Sequence, residues 1–119
     1  MPPASHDAAD LLPLPPATFH ILLALSDQPR HGYAIIQDVE ARTRGELRMS
    51  AGTLYRSIAR MVEQGLIAEV DQRRSATDDA RRRYYRLTSF GDACARAEMR
   101  RLSELLRLGR QRGLTPEAT

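Results

Sequence analysis

One segment, residues 49–67, restricts the possible folds of this chain more than any other. Ser50 is a favourable N-cap, because its hydroxyl can accept a hydrogen bond from a free N–H group of a helix's first turn. Gly65 stands where a left-handed C-cap residue belongs. Between them, apolar residues recur at helical spacing and mark one inward face: Leu54, Ile58, Met61 and Val62. The segment predicts a short amphipathic helix that runs directly into a strand.

The other face of this helix carries hydroxyl and guanidinium groups, which suit contact with phosphates and base edges in a DNA groove. The candidate contacts are Ser50, Gly52, Thr53, Tyr55, Arg56 and Arg60. An ordinary solvated surface helix is the alternative. For Gly52, close approach of the backbone to a phosphate and a steric need within the turn both stay open. Tyr55 can either reach a phosphate or pack beneath the strands that follow.

Composition limits the class of protein. The chain has 119 residues, room for one domain, and a net charge of +3 in which all eighteen basic residues are arginine. Arginine binds phosphate and guanine bidentately, which lysine cannot do. A single cysteine, Cys94, excludes an internal disulfide and is interpreted as a small buried hydrophobe. With no apolar run long enough to span a membrane and no signal-peptide pattern, we expect a cytoplasmic protein without membrane contact.

Two helices are predicted ahead of the central segment. Residues 1–13 contain three prolines and are expected to form a disordered tail. Residues 17–26 are apolar on most sides, as in a buried first helix. His31 and Gly32 open a second helix whose inward positions are Tyr33, Ile35, Ile36 and Val39. Because Tyr33 lies in its first turn, where free amides can receive a phosphate, it is also a candidate DNA contact.

A basic hairpin is predicted after the third helix. Residues 66–71 alternate with period two, apolar at 66, 68 and 70, and residues 82–88 form a returning strand. The tip and stems of this hairpin carry Arg73, Arg74, Arg81 and Arg82. These arginines can be plain solvated charge, but we prefer contact with phosphates or with the DNA minor groove. Three helices followed by a two-stranded basic hairpin predict a mainly α winged helix-turn-helix domain over residues 14–88.

The last predicted helix covers residues 89–112, capped by Thr88, and residues 113–119 are expected to be a frayed tail. Its periodic pattern, over residues 89–108, spans roughly 30 Å, more than a small winged domain needs. Its apolar stripe consists of Ala95, Met99, Leu102, Leu105 and Leu106. An identical helix of a second subunit would cover this stripe and make the protein a homodimer. Folding back onto the chain's own core is the alternative.

The sequence offers no residues for catalysis or for a cofactor. It contains no P-loop, no dinucleotide fingerprint and no Ser-His-Asp or Cys-His arrangement. The three histidines do not stand at a metal-binding spacing with Cys94 or with paired carboxylates. We therefore expect neither an enzyme nor a metalloprotein.

Four short motifs, in order and at compatible spacing, resemble the PadR family of bacterial transcriptional regulators in its short form with a single C-terminal helix. They are His31-Gly32-Tyr33, Gly52-Thr53-Leu54-Tyr55, Gly65-Leu66-Ile67 and Tyr84-Tyr85-Arg86-Leu87-Thr88, with Gly91 just beyond. The resemblance implies a homodimer that binds double-stranded DNA and represses nearby genes. It implies DNA contacts by Tyr33, Ser50, Thr53, Tyr55 and Arg56, and by Arg73 and Arg82 in the wing.

The resemblance also implies release by a small aromatic or lipophilic molecule near the dimer seam, where we expect Phe19, Leu23, Met99 and Leu102. Some drug-sensing relatives stack flat ligands on an interface tryptophan, and this chain has none. A second function class is a winged-helix module that binds protein, for which an acidic or apolar outer face on the third helix would be expected.

Overall fold

The computed structural model describes residues 7–70 and 83–114, which form four α-helices and a small sheet beside a 3-10 helix, Ala8–Leu11. The α-helices are α1 (Pro16–Ala24), α2 (Gly32–Arg42), α3 (Ala51–Glu63) and α4 (Ser89–Gln111). The strands are β1 (Arg30–His31), β2 (Ile67–Val70) and β3 (Tyr84–Leu87). The predicted mainly α winged helix-turn-helix architecture is confirmed.

Helix α1 lies at the centre of the core. Pro16 occupies its first position, where a missing N–H group costs nothing, and Leu25 follows as its C-cap. Ile21, Leu22 and Ala24 are fully buried, so the prediction of a buried first helix is confirmed, with an end slightly earlier than predicted. An all-round apolar helix of this kind is stable only where other elements surround it.

The predicted disordered tail over residues 1–13 is wrong for the part that the structure describes. The Asp7 side chain accepts a hydrogen bond from the Ala9 N–H group at 3.0 Å and caps the 3-10 helix. Leu11 and Leu12 pack against the core, and Leu14 is buried. The free energy gained by burying these leucines beside α4 outweighs the conformational entropy lost when the segment becomes ordered. The prolines and small residues had indicated a segment too poor in apolar residues for this. Residues 1–6 lie outside the described residues.

The sheet within the described residues has three antiparallel strands in the order β1-β3-β2, not the two predicted. The missed strand β1 is only two residues long and precedes α2 directly; Arg30 pairs with Tyr85 and His31 with Tyr84. A strand this short carries no periodic signal in the sequence. It anchors the start of α2 to the sheet.

The predicted inward face of β2 is also wrong. Ile67 is buried, whereas Ala68 and Val70 are only half-buried on the opposite face. Leu66, which the period-two pattern placed in the strand, instead belongs to the turn that ends α3, and it is fully buried there. Glu69, on the same face as Ile67, is exposed, so within β2 only the first residue is buried and burial does not follow the period-two pattern.

The turn between α3 and β2 is a left-handed C-cap motif, as predicted. Gly65 has φ +81°. Its N–H group donates to the Val62 carbonyl at 3.0 Å, and the Leu66 N–H group donates to the Met61 carbonyl at 2.9 Å. This pair of hydrogen bonds satisfies the carbonyls at the helix end and turns the chain toward the sheet.

The start of α4 is fixed against the same turn. The hydroxyl of Thr88 accepts a hydrogen bond from the Gly91 N–H group at 2.9 Å, which confirms the predicted N-cap. The hydroxyl also lies 2.6 Å from the Gly65 carbonyl oxygen, and the Thr88 N–H group donates to the Leu66 carbonyl at 3.1 Å. A Cβ atom at Gly91 would stand 2.0 Å from that carbonyl oxygen of Leu66. Only glycine allows this contact.

Beyond this contact, α4 buries a narrow face that includes a charged pair. Cys94 is fully buried, and burial is the main cause that raises the pKa of its thiol, with the charge of Asp7 adding to it. Glu98 is 3% exposed, and its two oxygens accept from Nε and Nη2 of Arg101 at 2.8 Å each. This hydrogen bonding by Arg101 lowers the pKa of Glu98 against the opposing effect of burial. A backbone hydrogen bond from Leu14 also lowers the pKa and ties the N-terminal segment to α4.

The contact between α4 and the α3–β2 turn predicts a large effect of one methyl group. Replacing Gly91 with alanine should lower the free energy of unfolding by about 2–3 kcal/mol or more, because the new Cβ must displace backbone rather than a flexible side chain. Urea unfolding at fixed protein concentration measures the change. The control is Gly109→Ala in the same helix, where the nearest atom to the new Cβ, the Leu114 Cβ, is 3.9 Å away. That change should leave stability unchanged or raise it slightly. Equal stability of the two variants would contradict the prediction.

Candidate nucleic-acid interface

The first turn of α3 is held by hydrogen bonds among its own side chains. The Ser50 hydroxyl accepts from the Thr53 N–H group at 3.1 Å and lies 3.1 Å from the Thr53 hydroxyl, so the predicted N-cap is confirmed. Nη2 of Arg56 is 3.5 Å from that Thr53 hydroxyl. These contacts hold a hydroxyl pair and a guanidinium group at the exposed beginning of the helix.

Gly52, in the same turn, has open space around it. Among the described residues, the nearest atom to an added Cβ would be the Arg56 Nη1 at 3.7 Å, which is ordinary van der Waals contact. A steric need within the turn therefore does not account for this glycine. Close approach of the backbone to a phosphate stays a prediction for this position.

The two faces of α3 differ sharply in character. Leu54, Ile58 and Met61 are buried, as predicted, and anchor the helix to the core. Val62, predicted to point inward with them, is instead 42% exposed. The outer face carries Arg56 and Arg60 and is neither acidic nor apolar overall, so it lacks the mark expected of a protein-binding module.

Two exposed tyrosines lie close to the N-terminus of α2. Tyr33 is 62% exposed, so its predicted inward position is wrong and its position in the first turn leaves it available to a ligand. Tyr55 of α3 is 51% exposed, and its hydroxyl would stand 2.5 Å from a Cβ atom at Gly32. Gly32 therefore lets the Tyr55 ring rest on the beginning of α2, which joins the two candidate contact residues into one surface.

His31, which the sequence identified only as opening α2, is the N-cap of that helix. Its Nδ1 atom accepts a hydrogen bond from the Ala34 N–H group at 3.2 Å. Its ring meets Tyr84 edge to face, with ring centres 5.2 Å apart. The same residue thus caps α2 and fixes it to β3. Histidine is uncommon as an N-cap, so the sequence did not reveal this role.

An open groove of about 890 Å³ separates the outer face of α3 from the sheet. On the α3 side it is lined by Tyr55, Arg56, Ile58, Ala59, Arg60, Val62 and Glu63. On the sheet side it is lined by Glu69, Arg83 and Tyr85. Of the arginines in the predicted hairpin, Arg83 and Arg86 belong to the described residues, and of these two Arg83 lines the groove. The predicted contacts Arg73, Arg74, Arg81 and Arg82 lie outside the described residues.

The residues predicted for dimerisation form an exposed apolar stripe on α4. Met99 and Leu105 are each 52% exposed, and Leu102 and Leu106 are 38% and 40% exposed. Ala95 packs partly against the core. Of the residues predicted to bind a small ligand, Phe19 is half-buried against the core and Leu23 is half-buried in α1. Neither lines the groove beside α3.

The described part of the chain shows no competing kind of site. Across residues 7–70 and 83–114, no three histidine, cysteine or carboxylate side chains converge in a way that could hold a metal ion. In the same ranges, no helix has both the length and the apolar character needed to cross a bilayer.

Helices α2 and α3, followed by strands β2 and β3, form a winged helix-turn-helix, the class of protein that the fold and this surface define. The Transcriptional regulator PadR-like family matches residues 21–97, more than half of the chain. The chain therefore belongs to the PadR-like family of transcriptional regulators and is not an enzyme. DNA binding and regulation of transcription are the activities of this family.

Relatives and solved structures agree with this assignment. A transcriptional regulator of Mycobacterium tuberculosis is 36% identical over 88 residues, which cover 74% of this chain and 77% of the relative. An uncharacterised protein of Lysinibacillus sphaericus is 32% identical over 73 residues, which cover 61% of this chain and 65% of the relative, just under two thirds.

Among solved structures, a PadR family transcription regulator from Clostridium difficile is similar with a TM-score of 0.68 and 24% identity, covering 80% of this chain and 95% of that one. The Bacillus subtilis PadR in complex with operator DNA is similar with a TM-score of 0.62 and 16% identity, covering 73% of this chain and 48% of that one. At these identities the likeness shows the fold.

The open space at Gly52 predicts that stability and DNA binding can be separated there. Gly52→Ala should keep or slightly raise the free energy of unfolding, since alanine favours a helix by up to about 1 kcal/mol over glycine. The same change should weaken DNA binding if the backbone approaches a phosphate closely. Thermal unfolding and fluorescence anisotropy with labelled DNA measure the two effects. The matched variant Ala59→Gly, farther along the exposed face of α3, should lower stability by a similar amount. Undiminished DNA affinity in Gly52→Ala would contradict the close approach.

Proposed function

We propose that this protein is a homodimeric repressor that binds an inverted-repeat operator through α3. The observation that carries the proposal is the first turn of α3, where Ser50 and Arg56 are exposed and Thr53 is half-buried. The other face of this helix is buried in the core. A helix anchored in this way can enter the major groove without rearranging, and its N-terminal residues are the ones that meet base edges. The solved complex of the Bacillus subtilis PadR with operator DNA supports this role.

Each candidate contact has a distinct task in the proposal. Arg56 has the length and the planar fork to bind guanine bidentately. Ser50, Thr53 and the backbone at Gly52 bind phosphate at the start of α3. Tyr33 and Tyr55 extend this surface to the beginning of α2. Arg60 and the wing residues Arg73, Arg74, Arg81 and Arg82 bind phosphates or enter the minor groove.

The homodimer is supported by the apolar stripe of α4. Met99, Leu102, Leu105 and Leu106 lie next to the face that packs on the core, yet each is more than a third exposed. Clusters of exposed leucine on a helix this long are typical of a subunit interface. A second copy of α4 covers the stripe most simply, because a two-fold axis presents the same residues from both sides.

A two-fold dimer fixes the form of the operator. The two α3 helices should lie about 34 Å apart, one turn of duplex, so that both enter the same side of the DNA. The operator is then an inverted repeat with that spacing. A mobility shift of the purified protein on DNA from upstream of its own gene, compared with scrambled DNA of equal length, tests the function as a whole. Equal affinity for both duplexes would contradict sequence-specific regulation.

A small lipophilic or aromatic ligand is proposed to release the DNA by binding at the dimer seam, near Phe19, Leu23, Met99 and Leu102. Half-burial of Phe19 and Leu23, together with exposure of Met99 and Leu102, supports an apolar site that the second subunit completes. Without tryptophan, the ligand should be modest in size and held by aliphatic contact.

The proposed role of Arg56 predicts a loss of sequence discrimination. Arg56→Ala should lower the ratio of operator affinity to scrambled-DNA affinity by roughly 5- to 150-fold, which corresponds to about 1–3 kcal/mol for a bidentate base contact. Anisotropy titrations at one fixed salt concentration measure the ratio. Arg100→Ala removes the same charge from the exposed side of α4 and should leave the ratio unchanged. A preserved ratio in Arg56→Ala would leave Arg56 as a phosphate contact.

The proposed dimer predicts a specific response to charge on α4. Leu102→Glu combined with Leu106→Glu should raise the dimer dissociation constant by a hundredfold or more, because the interface would bury two unpaired carboxylates (a cost of about 3 kcal/mol or more). Light scattering coupled to gel filtration measures the mass. Ala93→Glu combined with Arg100→Glu adds carboxylates to the other side of the helix and should leave the dimer intact. An unchanged, folded dimer in the Leu102/Leu106 variant would exclude this interface.

A further inference from the structure

The sheet wall of the groove beside α3 carries a cluster of three interacting side chains. Glu69 of β2 and Tyr85 of β3 are directly opposite each other in the strand register, so both side chains point to the face that borders the groove. Arg83 lies just before β3, two residues ahead of Tyr85, and lines the same side of the groove. Its Nε atom lies 3.8 Å from Oε2 of Glu69.

The pKa of the Tyr85 phenol is raised, and both Glu69 and Arg83 contribute to the shift. Burial is the main cause that raises the pKa of its phenol, and the charge of Glu69 raises it further. The positive charge of Arg83 and a hydrogen bond with Arg83 act in the opposite direction. Arg83 is therefore held between a carboxylate and a phenol at the edge of the groove.

The opposite wall of the groove carries more positive than negative charge, with two arginines and one carboxylate, Glu63. Arg56 and Arg60 of α3 face the groove across from the sheet. When α3 lies in a major groove about 12 Å wide, a DNA backbone runs along either side of the helix. The space between α3 and the sheet is where one of these backbones would pass. Arg83 then has two possible acidic partners, the Glu69 carboxylate and a phosphate of this backbone.

The ion pair of Glu69 with Arg83 is suited to being exchanged. The two side chains are 50% and 71% exposed, and their separation is at the long end for an ion pair. Exposed pairs of this kind contribute little to stability. A phosphate can therefore replace the carboxylate as the partner of Arg83 without loss to the fold.

We propose that Glu69 limits the affinity of this protein for DNA by competing with phosphate for Arg83. The inference rests on the proposed DNA-binding function and deepens it. In the free protein, the Glu69 carboxylate neutralises Arg83. In the complex, Arg83 turns to a phosphate, but Glu69 stays nearby and offsets the charge. The contact then releases almost no counterion from the DNA, although an arginine–phosphate contact normally releases about one.

The test is Glu69→Gln, which keeps the size and the hydrogen-bonding ability of the side chain and removes its charge. We expect affinity to rise roughly three- to tenfold on operator and scrambled DNA alike. This is the size of the interaction between two unit charges in water at about the distance that separates Arg83 from its partner. The plot of log affinity against log salt should become steeper by about one unit. Anisotropy titrations at four or more salt concentrations measure both quantities. Glu69→Thr, which favours a strand, serves as a second variant if the glutamine chain folds poorly.

Two comparisons separate exchange from a general effect of charge. Glu104→Gln makes the same change in net charge on α4, where Glu104 pairs with Arg107, and should leave DNA affinity and salt dependence unchanged because distant charges are screened. In an Arg83→Ala background, Glu69→Gln should lose most of its effect. An equal gain with and without Arg83 would overturn the exchange and show direct repulsion of DNA by Glu69.

The inference and the proposed function fail in different ways. If the unmodified protein binds neither duplex at any salt concentration, DNA binding itself is refuted. If it binds the operator while Glu69→Gln changes neither the affinity nor the salt dependence, only the role of Glu69 is refuted.

Discussion

The backbone of α4 passes so close to the end of α3 that the Leu66 carbonyl oxygen occupies the place of a side chain at position 91. The same carbonyl accepts the Thr88 N–H group, and the Thr88 hydroxyl caps α4 while it contacts the turn at Gly65. One small cluster of backbone contacts therefore sets the relative positions of α3, the sheet and α4. The orientation of α3, the helix proposed to face DNA, and the direction of α4 follow from it.

Because α4 is fixed in this way, two adjacent sides of the helix have different surroundings. The face with Gly91, Cys94 and Glu98 packs on the chain's own core and on the 3-10 helix at the N-terminal end. Burial of Glu98 is tolerated because Arg101 binds both of its oxygens. The neighbouring stripe with Met99 and Leu102 stays exposed and is free for a second subunit. Fold and proposed assembly thus use adjacent sides of one helix.

The opposite end of the domain is organised around charge. Arg56 and Arg60 on α3 line one side of an open groove with Glu63, and Arg83, just before β3, lines the other side with Glu69. Arginines and carboxylates on one groove suit a regulator that must dissociate readily from non-specific DNA. Affinity for any sequence comes mainly from phosphate contacts, whereas discrimination comes from base contacts. In the proposed role, Glu69 weakens the phosphate contacts. The base contacts then account for a larger share of the difference in affinity between the operator and other DNA.

The sequence by itself determined the order of the helices, the caps at Ser50, Gly65 and Thr88, and the family, because each depends on local hydrogen bonds and short motifs. It did not determine β1, the inward face of β2, or the ordered 3-10 helix at Ala8–Leu11, since these depend on partners distant along the chain. The exposed sides of Tyr33 and Val62 were likewise decided by packing, because helical periodicity alone does not say where a core ends. Only tertiary structure brought Glu69, Arg83 and Tyr85 onto one wall of the groove. Strand register, which no local pattern fixes, set that arrangement.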